Sequence, residues 1–209
     1  FTSGSGEAVA LRGPNGSGKS TRFKLMCGLL QPTSGTYLYN GAKPDFERVR
    51  QVLGFVFQNS DVQLFNDTVE AELAFGPTQL GLAPDVVAKR VADVLALLDI
   101  QRLADRVPYQ LSGGEKKLVA LGSVLTMNPQ AIILDEPFNG LAISYQDQLM
   151  RLLQELHAHG QTLILSSHDY NKTAPLIQRV ITLDEDHRIA FDAARDALTD
   201  AQVALLRRL

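Results

Sequence analysis

The stretch GPNGSGKS, Gly13–Ser20, decides the fold. It reads G-x-x-x-x-G-K-S directly after the apolar run Ala8–Leu11 and directly before a helical stretch, Ser20–Leu30. A strand, a glycine-rich turn and a helix in that order form a phosphate cradle. Glycines let successive backbone N–H groups curl around an anion, and the helix start adds positive potential. At average residue frequencies the pattern arises by chance in about one chain in a hundred, and its context lowers that further. Gly13, Pro14, Asn15, Gly16, Ser17, Gly18, Lys19, Ser20 and Thr21 are therefore the expected phosphate-binding residues. Lys19 should reach the β- and γ-phosphates of a nucleotide, and the Ser20 hydroxyl should ligate Mg²⁺. Thr21 is a further phosphate donor.

A second chemical stretch, AIILDEP, Ala131–Pro137, sets two carboxylates at the end of an apolar strand. Open parallel sheets bind ligands at that edge. Asp135 is placed to hold Mg²⁺ through water, and Glu136 to polarise an attacking water as general base. His168 closes another apolar strand in LILSSHD and reaches the same edge. It reads either as a hydrogen-bond partner of the γ-phosphate or as a capping histidine. His157 and His159 lie on a polar helix end and read as solvated, and His187 reads as a turn residue. Cys27, the only cysteine, reads as core, which excludes an intrachain disulfide or a cysteine zinc cluster.

Around these stretches the chain alternates. Short apolar runs at Ala8–Leu11, Val52–Phe57, Ala131–Leu134, Thr162–Leu165 and Val180–Leu183 predict buried strands. Val87, Val91, Val94, Leu95 and Leu98 recur at helical spacing, as do Tyr145, Leu149, Leu152, Leu153 and Leu156. The pattern predicts an α/β fold, a mostly parallel sheet core covered by helices. Residues 59–128 read as helical without a convincing strand and are expected to form an inserted helical subdomain. Segments 1–58 and 129–209 are expected to form the core of one domain. The last stretch, Ala193–Leu209, predicts one or two short helices. The chain has 209 residues, 45% hydrophobic, with a formal charge of -3. That size suits one domain, and that charge argues against a dedicated nucleic-acid binder.

LSGGEKKLVA, from Leu111, poses a separate problem. Ser112 and Glu115 make a capping box, so a helix should start here. Gly113 and Gly114 then fill its first turn, where each costs about 0.5–1 kcal/mol relative to alanine. Something is expected to approach that bare backbone.

Taken together, GPNGSGKS, Gln58 after a strand, LSGGE, ILDEP and SSHD resemble, in order, the motifs of the ATP-binding-cassette (ABC) ATPases, a branch of the P-loop NTPases. The resemblance covers nearly the whole chain. It implies ATP and Mg²⁺ as ligands, ATP hydrolysis, and a dimer in which two cassettes meet head to tail. Ser112, Gly113 and Gly114 would close on the γ-phosphate held by the partner. A finer likeness lies in FQNSDVQLF, Phe57–Phe65, with AFGP, Ala74–Pro77. It resembles the cobalt, nickel and vitamin branch, the energy-coupling-factor importers. That likeness implies that Gln58 senses Mg²⁺ and the attacking water. It also implies that a transmembrane coupling subunit docks near residues 59–76, holding the chain at the cytoplasmic face of the cell membrane.

The chain departs from the family pattern at three points. Glu115 stands where glutamine is commoner, and Ala142 where an aspartate usually crosses the dimer interface. The strand that carries an adenine-stacking aromatic would lie upstream of Phe1. Without it the chain is expected to bind ATP about 5- to 150-fold more weakly. Two other functions fit the motifs less well: a soluble ABC ATPase acting on nucleic acid or the ribosome, and a nucleotide-binding module that no longer hydrolyses.

Overall fold

Six strands carry the fold: β1 (Ala8–Arg12), β2 (Leu53–Val56), β3 (Ala131–Leu134), β4 (Thr162–Ser166), β5 (Arg179–Leu183) and β6 (Ile189–Ala194). In the computed structural model, which describes residues 3–209, they form one sheet in the order β2-β3-β4-β1-β5-β6. The first two residues of the 1–58 segment lie outside the described residues. Strands β1 to β5 run parallel, and β6 joins β5 antiparallel. β1 lies inside the sheet, with Ala10 paired to Leu165 of β4 and to Val180 of β5.

A parallel sheet is covered on both faces, so its strands need apolar side chains in both directions. Along β1, Ala8 and Ala10 enter one core cluster while Val9 and Leu11 enter the other. Helix α1 (Lys19–Met26) closes the smaller cluster with Phe23, followed by Cys27. Burial pushes the Cys27 thiol up to about 12, so this residue is inert core. The larger cluster takes Leu149, Leu152 and Leu153 from α6 (Ile143–Ala158) and Val87, Val91, Val94 and Leu95 from α4 (Pro84–Leu97).

Between β2 and β3 the described chain contains α3 (Val69–Gln79), α4, α5 (Gly113–Leu125) and three short 3₁₀ turns, and no strand. α5 starts on the expected capping box: the Ser112 Oγ accepts from the Glu115 amide, and a Glu115 oxygen accepts from the Ser112 amide.

Several expectations shift. Val52 ends a helix, α2 (Phe46–Val52), capped by Asp45, so β2 begins one residue later. The helix after the phosphate loop ends at Met26 rather than Leu30. Ala193 and Ala194 belong to β6, an edge strand with only intermediate or exposed residues and too little apolar alternation to register in the sequence. The chain then forms a 3₁₀ turn and α8 (Asp200–Leu206), whose own capping box joins Thr199 and Gln202. Between β4 and β5 lies a single-turn helix, α7 (Tyr170–Thr173). Among the described residues no helix is long and apolar enough to cross a membrane.

Candidate functional site

The loop between β1 and α1 leaves the carboxyl edge of the sheet. Gly13, Gly16 and Gly18 all have positive φ, which frees them to aim the backbone N–H groups inward. Gly13 also cannot carry a side chain. A Cβ there would lie 2.7 Å from the Ser17 Oγ and 2.8 Å from the Leu183 carbonyl. Asn15, Gly16 and Thr21 are exposed, while Lys19 is buried. The Lys19 ammonium donates to the carbonyls of Gly13, at 2.7 Å, and Pro14, at 3.1 Å. Burial holds its pKa down, against the opposing pull of Glu136 and Asp135. A lysine has three N–H donors, so one remains for a phosphate. The buried Ser17 Oγ has no protein partner. An orphaned buried hydroxyl in a loop with three positive-φ glycines fits an anion.

β3 and β4 bring the second set of groups to the same edge. The Ser166 hydroxyl donates to Asp135 Oδ1 at 2.7 Å and accepts from the Glu136 amide at 2.9 Å. Both carboxylates are buried. Glu136 holds a left-handed backbone at φ 46, a conformation that costs a non-glycine residue about 1–3 kcal/mol and clusters at functional sites. Burial raises its carboxyl above the ordinary 4.5, while His168 and Lys19 pull the other way. Its Oε2 accepts the His168 amide at 3.3 Å. His168 Nε2 stands 3.1 Å from Oε1, close enough to pair when protonated but not aligned as a hydrogen bond. Oε1 is thus an acceptor with no donor aimed at it. The structure brings His168 to Glu136, and His168 Nδ1 lies 3.2 Å from the Leu209 carbonyl.

Mg²⁺ usually takes one or two protein oxygens and completes its shell with phosphates and water. Ser20, Gln58 and Asp135 offer such a sparse hard-donor set. Among the described residues there is no cluster of three or more His, Cys, Asp or Glu that would hold a metal by itself.

Gln58 is exposed, two residues past β2. It faces a shallow cleft of about 140 Å³, with Gly113 and the turn Asn139–Leu141 on its other walls. Its backbone is anchored by a residue the sequence reading passed over. Buried Lys117 donates to the carbonyls of Phe57, at 3.2 Å, and Gln58, at 2.6 Å. Gln63 reinforces the turn, accepting the Phe57 amide and donating to Ala120. Phe65 is 65% exposed and meets Phe75 edge to face at 4.9 Å, so it is not core; Leu64 is partly buried.

The two signature glycines differ. A Cβ on Gly114 would strike the Tyr145 ring at 2.5 Å, whereas one on Gly113 would meet nothing within 4 Å. Both Glu115 oxygens are occupied, one by the Ser112 amide at 3.0 Å and one by Arg102 at 2.8 Å. Those contacts, the Ser112 amide foremost, hold its carboxyl below the usual range. His157 and His159 are not simply solvated. Their Nδ1 atoms contact backbone carbonyls of Gln161 and Glu155 at the end of α6. His187 is a turn residue with φ 63 whose carbonyl accepts from Arg22. Arg12 and Ser166 also escaped the sequence reading, which placed Tyr145 on the apolar face of a helix without its contact to Gly114. A charged residue ending the apolar run AVALR was the available signal for Arg12.

Comparison with known proteins gives a consistent picture. The family model described as "ABC transporter" matches residues 1–139. The nickel import ATP-binding protein LarO of Lactiplantibacillus plantarum is 50% identical over 204 residues, 93% of this chain and 85% of that protein. The solved structure of cbiO1 from Clostridium perfringens, part of the ABC transporter complex cbiONQ, superposes with a TM-score of 0.85 at 33% identity. That match covers 97% of this chain and 83% of that one. The ATP-binding cassette MJ0796, in a dimeric post-hydrolysis structure bound to ADP and Pi, gives 0.84 at 28% identity, covering 95% and 89%.

Proposed function

The chain belongs to the ABC transporter family, and on that premise we propose that it is the ATP-hydrolysing subunit of a membrane importer for a transition-metal ion or a vitamin. The observation that carries the chemistry is the meeting of the Gly13–Thr21 loop, Asp135, Glu136 and His168 at one sheet edge. The loop amides and Lys19 would hold the β- and γ-phosphates, with the Ser17 hydroxyl and Thr21 as further donors. Ser20, Asp135 and Gln58 would hold Mg²⁺, which neutralises charge on the transferring phosphoryl group. Ser166 orients Asp135 through its hydroxyl. Glu136 would take the proton of the attacking water at Oε1, and burial makes that carboxylate a stronger base than an exposed one. His168 would face Glu136 through Nε2, and its Nδ1 would exchange the Leu209 carbonyl for the γ-phosphate.

Gly113 presents open backbone at the start of α5, a surface suited to a phosphate held by a second cassette. A dimer, head to tail, follows from that reading, with a homologous subunit as the other possible partner. Val62, Phe65 and Phe75 are exposed apolar residues of the 59–76 segment, and the Phe65 and Phe75 rings touch edge to face. They would receive the transmembrane subunit and hold the chain at the cytoplasmic face of the membrane.

The test is phosphate release by Glu136→Gln. Turnover should fall by about a hundredfold or more, the usual range for loss of a general base, with nucleotide binding retained. Unchanged release would remove Glu136 from that role. Phe65→Asp should weaken assembly with the membrane subunit and leave the isolated chain folded; an unfolded variant would count against the docking surface.

A further inference from the structure

Arg12 ends β1, immediately before the phosphate loop, with 1% of its surface exposed. No step of the chemistry above uses it. A buried guanidinium is costly, because it stays charged and its lost hydration must be replaced. Burial lowers the Arg12 pKa, and Glu136 and Asp169 oppose that shift. Its two terminal nitrogens donate to three carbonyls: Ser167 and His168, after β4, and Leu206, at the end of α8, while its buried Nε has no partner among the described residues. The bonds to His168 and Leu206 are 2.9 and 2.8 Å. Tyr170 completes the site, its ring centroid 5.9 Å from the guanidinium carbon.

The residue at the centre of these bonds is His168. Its carbonyl is held by Arg12, its amide by Glu136 Oε2, and its Nε2 faces Glu136 Oε1. The position of this peptide relative to the phosphate loop is therefore set by a side chain rooted at the start of that loop. The third bond adds α8, whose terminal carbonyl carries the negative end of the helix dipole. One planar fork spans all three acceptors; an ammonium is a point donor on a flexible stem and does not reproduce that geometry.

We propose that Arg12 is the positioning residue for His168 and Glu136, and that through the same guanidinium the seating of α8 sets the geometry of the hydrolytic edge. This rests on the hydrolytic reading of Glu136 and extends it to a segment, Asp200–Leu206, that carries no family motif.

The experiment compares Arg12→Lys, Arg12→Leu and Leu206→Ala with the unaltered chain, with Glu136→Gln as reference. Arg12→Lys should lower kcat about tenfold, as loss of an outer-shell partner does, with KM for MgATP within about twofold. Leu206→Ala should lower kcat in the same direction, and adding it to Arg12→Lys should cost less than the product of the two effects. Amide exchange gives a readout independent of turnover. In Arg12→Lys the amides of 166–170 and of 203–209 should exchange faster together, while those of β3 stay protected. Should Arg12→Leu fail to fold, the lysine and α8 variants carry the test alone. A kcat for Arg12→Lys within twofold of the unaltered chain, a proportional rise in KM, or unchanged exchange at both segments would overturn the proposal. Full turnover in Glu136→Gln would instead overturn the hydrolytic reading, and the exchange result would still decide the Arg12 linkage.

Discussion

Gly114 packs its bare Cα against the ring of Tyr145, so closely that a Cβ would lie 2.5 Å from ring carbons, while its neighbour Gly113 faces open space. The two glycines in one helical turn therefore have different reasons to be there. Gly114→Ala should destabilise the chain by about 1–3 kcal/mol through overpacking, more than the helix-propensity gain returns. Gly113→Ala should leave denaturation unchanged or slightly improved, yet reduce ATP-dependent dimerisation, read by size-exclusion chromatography in a Glu136→Gln background. Equal effects of the two substitutions on stability would refute this division.

Buried Glu72 gathers three donors on one oxygen: the amides of Phe65 and Asn66, at 2.9 and 2.8 Å, and the Asn66 side chain, at 3.0 Å. Glu72→Ala leaves these unpaired and should cost about 2–3 kcal/mol in urea denaturation. Glu72→Gln keeps an acceptor oxygen and should cost about 1 kcal/mol, the loss of charge assistance. If both cost the same, the carboxylate is not what holds the Phe65 loop.

Ala142 sits at the N-cap of α6 with extended backbone angles and no side chain to accept from the first turn. Ala142→Asp supplies that acceptor and a charge favoured by the helix start. It should stabilise the chain by about 0.5–2 kcal/mol, measured by thermal denaturation. A neutral or negative effect would mean that the Asn139–Leu141 turn already occupies the capping direction.

Glu136 carries a linkage prediction. Its folded pKa lies above the ordinary 4.5 because burial disfavours the ionised form. The sign follows: folding is unpenalised below the unfolded value, and stability is lost as pH rises through the folded value. Glu136→Gln removes the penalty. Denaturation midpoints of the two proteins should converge near the ordinary carboxylate value, with the variant increasingly the more stable toward neutral pH. A gap that stays constant with pH would contradict the buried-carboxylate account.

Much of this molecule was legible because its signals are local. The phosphate loop, the Ser112–Glu115 box and the amphipathic faces of α4 and α6 each express dihedral preferences or a 3.6-residue period within a few turns. α2 and β6 were missed for the complementary reason. FERVRQV runs into the strand LGFV without a break, and β6, IAFDAA, is an alanine-rich edge strand without the apolar–polar alternation that marks a half-buried strand. In the sequence Phe65 is equally suited to a core and to a docking surface, and only its exposure separates the two.

By itself, the sequence determined the order of the motifs, the helix caps, the apolar strands and hence the family. Tertiary structure decided which groups meet. Arg12 finds its acceptors 155, 156 and 194 residues away, and Lys117 reaches back to Gln58 across 59. Such pairs exist because the sheet sets β1 beside β4 and because α5 packs against β2, an arrangement that no local pattern encodes. Burial then makes an unpaired polar group costly, so most find a partner among the groups that the fold brings within reach.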